Sequence, residues 1–444
     1  MYSKKLEQTL KKAGVSQGDE ISISVNGVDY SGILMPRPVG DEKNADIIIL
    51  KLGTGYNIGI SSEGAKIRLL KKYPHKKSKP ADDERKKGGI AILGCGGTIA
   101  SKIEYTTGAV YPAISPDELR AAFPTLDRLA VIYSRQLFSI FSEDMAPGHW
   151  KILAKEIEKE IRGGANGVVV MHGTDTMSYT SAAISFMLQN LPVPVVFVGS
   201  QRSSDRPSSE NESNLLNAVF SARRDIGEVT VCMHADTNDN YCYLHRGTRV
   251  RKMHTSRRDA FHSINSSPIA KVDYGSSLFS PFIPFKKRSR LSELQFDARI
   301  NPNVAMVYAH PGLKPEFIKK LDCYDGVVLI GTGLGHVPTN PFNSKECASV
   351  LPEIKDLISS GIPVVMAPQT INGRLNLKVY TTGRLLLEAG VIGHGADWNP
   401  EAAFVKLCWV LGKEKKMPKI QELMLANLVG EISDRSDLEV GKND

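Results

Sequence analysis

GVVVMHGTDTMSYTSAA, residues 167–183, is a short apolar run that breaks off into a polar knot and resumes as an apolar pattern at helical spacing. A run so short, rich in β-branched residues and without polar alternation, predicts a strand covered on both faces. The same grammar recurs in GIAILG, PVVFVGS, VTVCMHA, VAMVYAH, GVVLIGT and IPVVMAP. Between these runs lie stretches such as HWKILAKEIEKEIRGG, residues 149–164, whose apolar residues fall on one helical face. The alternation predicts an α/β protein with parallel sheets. It is interrupted near residues 275–303, which divides it into a larger α/β domain, 89–290, and a smaller one, 303–415, followed by a C-terminal helix and tail, 416–444.

Upstream the pattern changes. ISISV, an NG at Asn26 and Gly27, YSGILM, ADIIILKL, YNIGI and KIRLL alternate apolar and polar residues between turn signals. NG between alternating runs is a strong hairpin signal, so residues 1–75 read as a small antiparallel, barrel-like β domain. A basic linker, 76–88, follows: the run KKYPHKKSKPADDERKK, residues 71–87, has eight Lys/Arg against three Asp/Glu. It therefore carries much of the net charge of +8, which reads as a solvated tether more readily than as a nucleic-acid face.

With 444 residues, 41% hydrophobic and 23% charged, the chain is large enough for two or three domains and unlike a disordered, collagenous or disulfide-stapled protein. No apolar stretch reaches the ~18 residues of a membrane helix, and MYSKKLEQTLKKAG lacks the apolar centre of a secretory leader, so a cytoplasmic location is expected. Six scattered cysteines form neither a disulfide framework nor a CxxC metal pattern, which fits a reducing compartment and no metal site.

Two strand ends carry candidate chemistry. GCGGTIAS, residues 94–101, places glycines and Thr98 where α/β sheets bind ligands. It lacks the Lys of a phosphate loop and the spacing of a dinucleotide loop; a Cys95 nucleophile elbow would want Gly where Leu93 stands. A tight strand-to-helix turn remains an equal reading. At the second end, His172, Thr174, Asp175 and Thr176 crowd together before a helix. Helix capping accounts for one of them, which favours a functional role for the cluster. GTGLGH, residues 331–336, lacks the third glycine of a dinucleotide site and reads as another strand-end turn.

GGTIAS at 96–101 together with HGTDTM at 172–177 resembles the paired signatures of the bacterial-type asparaginase/glutaminase family. RKMHTSRRDAFHSIN, 251–265, and FSEDM, 141–145, resemble two further family segments, so the likeness spans about residues 88–412. It implies an amide-hydrolysing enzyme in which Thr98 attacks and forms an acyl-enzyme. A second chain of Thr174, Lys252 and Asp175 would relay protons, with the lysine kept neutral by burial. Ser142 and Glu143 would contact the amino-acid part of the substrate, and Asp175 would also bind its α-amino group. Tyr105 or Tyr111 could supply the family's flap tyrosine. Cys95 stands where the family usually has Thr, and Glu143 where simple asparaginases often carry Gln.

The β domain and basic linker fall outside that likeness. An asparaginase with such an extension resembles the D-subunit family of archaeal glutamyl-tRNA(Gln) amidotransferases. That resemblance implies release of ammonia from Gln or Asn by a homodimer, within a larger assembly. The ammonia would serve a kinase/transamidase partner, the E subunit, which uses ATP and Mg to convert Glu-tRNA(Gln). No cofactor is implied for this chain, which shows no ATP loop of its own. The alternatives are a stand-alone cytosolic asparaginase and a catalytically silent RNA-binding protein.

Overall fold

The computed structural model describes residues 2–36, 45–53, 56–72, 85–96, 123, 125–202, 209–238 and 241–436, with the backbone alone of 101–103 and 110–112. At the N-terminus, helix α1 (Lys4–Lys12) starts where the Ser3 hydroxyl accepts the Leu6 N–H at 3.2 Å. Its buried residues Leu6 and Leu10 stand four apart and so share one face. That face joins Ile21, Ile23, Leu34 and Ile48 in a separate small core. The strands are β1 (Glu20–Val25), β2 (Val28–Leu34), β3 (Ile47–Lys51), β4 (Asn57–Ser61) and β5 (Lys66–Lys71), in the order β4-β3-β2-β1-β5, all antiparallel. Asn26 and Gly27 have φ of 51° and 74°, and Val25 pairs with Val28. Two consecutive positive φ values make the two-residue turn whose twist suits a hairpin.

The larger sheet begins with β6 (Ile90–Gly96), β7 (Ile132–Ile140), β8 (Gly167–Met171), β9 (Val195–Val198) and β10 (Val229–His234). These five run parallel, in the order β7-β6-β8-β9-β10. The sheet then continues antiparallel through β11 (Cys242–Arg246), β14 (Ala270–Asp273) and β15 (Leu278–Pro281), so it is mixed rather than wholly parallel. The reason is connection length: the chain between His234 and Cys242 is too short for a crossover helix and can only turn back. Between β11 and β14 a detached hairpin of β12 (Val250–Lys252) and β13 (Phe261–Ser263) leaves the sheet.

Every residue of β6, β8, β9 and β10 is buried, because helices cover both faces. Ala91, Leu93, Val168 and Val170 pack towards α2 (Pro147–Arg162) and α3 (Met177–Met187), while Ile90, Ile92, Val169 and Met171 pack towards α4 (Asn211–Ala222). The smaller domain has three parallel strands, β16 (Val304–Tyr308), β17 (Gly326–Gly331) and β18 (Val364–Pro368), with α5 (Leu351–Ser359), α6 (Pro400–Leu411) and α7 (Met417–Leu425). The core on the α3 side is continuous between the domains, and Phe186 stacks on Trp409 with ring centroids 5.8 Å apart. GTGLGH is a strand-end turn: Thr332 and His336 pair across it, with Gly333 and Gly335 at positive φ.

At the amino end of the larger sheet, Glu160 of α2 is fully buried. It accepts from Arg85 Nε and Nη2 at 2.8 and 2.9 Å, Tyr133 Oη at 2.9 Å and Arg135 Nη1 at 2.8 Å. Arg85 belongs to the basic run, so that run ends in a fixed anchor. No helix among the described residues is long and apolar enough to cross a membrane.

Candidate active site

The site lies at the carboxyl ends of β6, β7 and β8, where an open α/β sheet leaves strand-to-helix turns exposed. After β8 the chain passes through His172 and Gly173 to Thr174 and Asp175, then enters α3. After β7 it passes through a short 3-10 turn, Ser142–Asp144. Gly173 lets the two turns meet, since a Cβ there would lie 2.6 Å from that of Ser142. Gly96 does the same for β6: its φ is +91°, and a Cβ would lie 2.2 Å from the Ile140 carbonyl oxygen.

Around these turns the polar groups converge. Lys252 Nζ, from the detached hairpin, donates to Thr174 Oγ1 at 3.0 Å and to Asp175 Oδ1 at 2.7 Å. Ser142 Oγ donates to Asp175 Oδ2 at 3.4 Å and accepts the Asp175 N–H at 3.3 Å. Thr176 Oγ1 donates to the Ser142 carbonyl at 2.6 Å, tying the β7 turn to the β8 turn. Capping therefore does not explain the cluster: Thr176 occupies the N-cap position of α3, yet its side chain makes no capping bond. Burial is graded. Thr174 and Ser142 are buried, the Lys252 side chain is 14% exposed and that of Asp175 is 62% exposed.

Thus four of the residues singled out from sequence, Thr174, Asp175, Lys252 and Ser142, form one hydrogen-bonded group. Glu143 lies exposed on the same 3-10 turn as Ser142. Thr98 and Tyr105 lie outside the described residues, as does the side chain of Tyr111, whose backbone is in the strand Val110–Pro112. Cys95 is buried in the core beneath the site, and burial pushes its thiol far up, so it is not poised as a nucleophile. His172 is also fully buried and held at about 4 by burial, against a smaller opposing effect from its 2.6 Å contact with the Gly173 carbonyl. It is a neutral packing element beneath the turn. The tie from Thr176 to Ser142 is the feature that sequence reasoning missed. HGTDTM held its donor, but nothing in the sequence marks which carbonyl it meets.

The chain matches three family models: "GatD N-terminal domain" over residues 15–70, "Asparaginase, N-terminal" over 89–281 and "Glutaminase/Asparaginase C-terminal domain" over 303–424. It is 46% identical over 442 residues to the D subunit of glutamyl-tRNA(Gln) amidotransferase from Pyrococcus furiosus, covering 97% of this chain and 98% of that one. The chain belongs to the D-subunit family of glutamyl-tRNA(Gln) amidotransferases. The corresponding protein of Methanothermobacter thermautotrophicus is 44% identical, with 98% of each chain covered. Among solved structures, the thermostable L-asparaginase of Thermococcus kodakarensis superposes with a TM-score of 0.68 at 33% identity, covering 78% of this chain and 99% of that one. The L-asparaginase I of Vibrio cholerae gives 0.66 at 29% identity and the same 78% of this chain. The D-subunit relatives match nearly end to end, and the N-terminal match sets the chain apart from a bare asparaginase fold.

Proposed function

We propose that this chain is the glutaminase/asparaginase-type subunit of a tRNA-dependent amidotransferase, releasing ammonia from Gln or Asn for a partner protein. The observation that carries the reading is Lys252, whose amine bridges the Thr174 hydroxyl and the Asp175 carboxylate at 3.0 and 2.7 Å. A hydroxyl is a weak nucleophile and needs a group to take its proton, so a hydroxyl–amine–carboxylate chain at a strand end suits acyl transfer. Thr98 Oγ attacks the carboxamide carbon, the C–N bond breaks, and the departing ammonia carries a proton delivered through the relay. Water then cleaves the Thr98 ester and returns the carboxylate. Ser142 and Glu143 hold the amino-acid end of the substrate, and Asp175, with its exposed carboxylate, also receives the α-amino group.

The ammonia is consumed elsewhere. The chain works as a homodimer with a kinase/transamidase, the E subunit of the amidotransferase, which spends ATP and Mg to activate Glu on tRNA(Gln) in the cytoplasm. The extension matched over residues 15–70 supports this reading over a stand-alone asparaginase. Ammonia release by the chain alone, and with that kinase/transamidase and Glu-tRNA(Gln), tests it: release should rise when all are present. Thr98→Ala should reduce it at least ~100-fold. Undiminished release by Thr98→Ala would refute the nucleophile; fast release that ignores partner and tRNA would favour the stand-alone enzyme.

A further inference from the structure

Three successive residues before Lys252 are gripped by one short segment of the smaller domain. Arg249 Nη1 donates to the Asp397 carbonyl at 3.0 Å, and Nη2 to Asp397 Oδ1 at 3.2 Å. Asn399 Nδ2 donates to the Val250 carbonyl at 3.3 Å. Arg251 Nε lies 3.2 Å from Glu401 Oε1. Positions 249, 250 and 251 thus step against 397, 399 and 401. Arg249, Asp397 and Asn399 are each at most 3% exposed, so these bonds face little competition from water.

The C-terminal segment closes over the same arginine. Arg249 Nε donates to the Gly430 carbonyl at 2.8 Å and Nη2 to Ser433 Oγ at 2.7 Å, while Ser433 N–H donates to Asp397 Oδ1 at 2.9 Å. Arg374 Nη2 donates to the Ser433 carbonyl at 2.7 Å. From the other side of the hairpin, Asn265 Nδ2 donates to the Asp397 carbonyl at 2.7 Å. The partners of the Lys252 amine, Thr174 and Asp175, belong instead to the larger domain. The amine therefore reaches from a strand gripped by the smaller domain to acceptors in the turns of the larger one. A lysine stem is flexible, so its working geometry depends on where its backbone starts.

The geometry points to Arg249 as a positioning residue for the reaction: with Asp397 and residues 430–433 it fixes the strand from which Lys252 reaches Thr174 and Asp175. This rests on Lys252 being part of the proton relay. A guanidinium fork suits the task because it donates along several fixed directions at once, which lysine does not reproduce. A misplacement of about 1 Å in a reacting group can cost ~100-fold in rate.

The experiment measures glutamine hydrolysis by the full chain with its kinase/transamidase partner, below each variant's melting temperature. Arg249→Lys should lower kcat by ~10- to 100-fold while KM stays within about threefold, and should displace one limb of the pH–rate profile. Ser433→Ala, which removes a single hydrogen bond, should lower kcat by roughly two- to fivefold and carries the test if Arg249→Lys does not fold. Adding Arg249→Lys to Lys252→Ala should cost little more, because the strand would have no amine left to place. Folded variants with wild-type kcat and pH profile would overturn the inference, as would the same loss factor from Arg249→Lys in the Lys252→Ala background. If Lys252→Ala released no measurable ammonia, an unshifted pH profile in the single variants would overturn it alone. If Lys252→Ala left kcat unchanged, it is the relay that fails instead.

Discussion

Two carboxylates of the larger domain stand at opposite ends of one sheet. At the amino end, Glu160 is fully buried and saturated by four donors from Arg85, Tyr133 and Arg135. Burial alone would raise it, but those donors outweigh burial and hold the carboxyl below its ordinary range. At the carboxyl end, Asp175 has a side chain 62% exposed and takes the Lys252 amine and the Ser142 hydroxyl, leaving acceptor capacity towards solvent. The residue class is shared and the consequence is opposite. A saturated buried carboxylate binds elements together, whereas an unsaturated one at a strand terminus can bind something that arrives.

Substitutions at the two ends should separate those roles. Lys252→Ala should lower the turnover of ammonia release by ~100- to 10,000-fold with little change in melting temperature. Glu160→Gln should do the reverse. It should cost about 3 kcal/mol in urea unfolding, because two arginines lose a buried charge partner, while turnover per folded molecule stays within about twofold. A Glu160→Gln variant that is stable but slow would break the contrast, and so would a Lys252→Ala variant that is active but unstable.

Acid sharpens it next. His172 under the open turn and His245 on β11 are held by burial at about 4 and about 3, below the ordinary 6.5. Each binds a proton more readily in the unfolded chain, so the fold loses stability as pH falls below 6.5, and each histidine's loss levels off once its folded value is passed. The loss should approach about 3 kcal/mol per histidine near pH 4. Urea midpoints from pH 7 to 4 check this, and His245→Asn should flatten the slope. A slope unchanged by His245→Asn would remove that residue from the account. The smallest effect lies away from both ends: Gly27→Ala, at φ 74°, should cost about 1 kcal/mol with no change in ammonia release.

What could be read in advance follows the same division between local and long-range physics. Residues buried on both faces leave a continuous apolar run, so β6, β8, β9, β10, β17 and β18 were visible as GIAIL, GVVVM, VVFV, VTVCM, GVVLI and VVMAP. The hairpin at Asn26 and Gly27 was visible because only a few residue types tolerate positive φ. The antiparallel arm of the larger sheet was not. β14 buries only alternate residues and β15 buries none, and both are too short for a period to emerge. Helix α1 was not among the expected elements: Ser3 could cap it, but with only Leu6 and Leu10 facing the core it is too short for a helical period to stand out. Around the site, Thr174 and Asp175 stood out by crowding at a strand end, and Lys252 by resemblance alone. Glu160, Arg249 and Asp397 did not, because a charged residue whose partner lies 25 to 148 positions away is indistinguishable in sequence from one facing water.

The anchor at Arg85 has a counterpart on the β domain, where Lys72 Nζ donates to the Gly14 carbonyl at 2.7 Å and to Asp19 at 2.9 Å. Two buried carboxylates, Asp19 and Glu160, thus clasp the cations Lys72 and Arg85 of the basic run. Because the clasp on Arg85 sits at the pole of the sheet opposite Lys252, loosening it should leave the ammonia-producing mouth as it is.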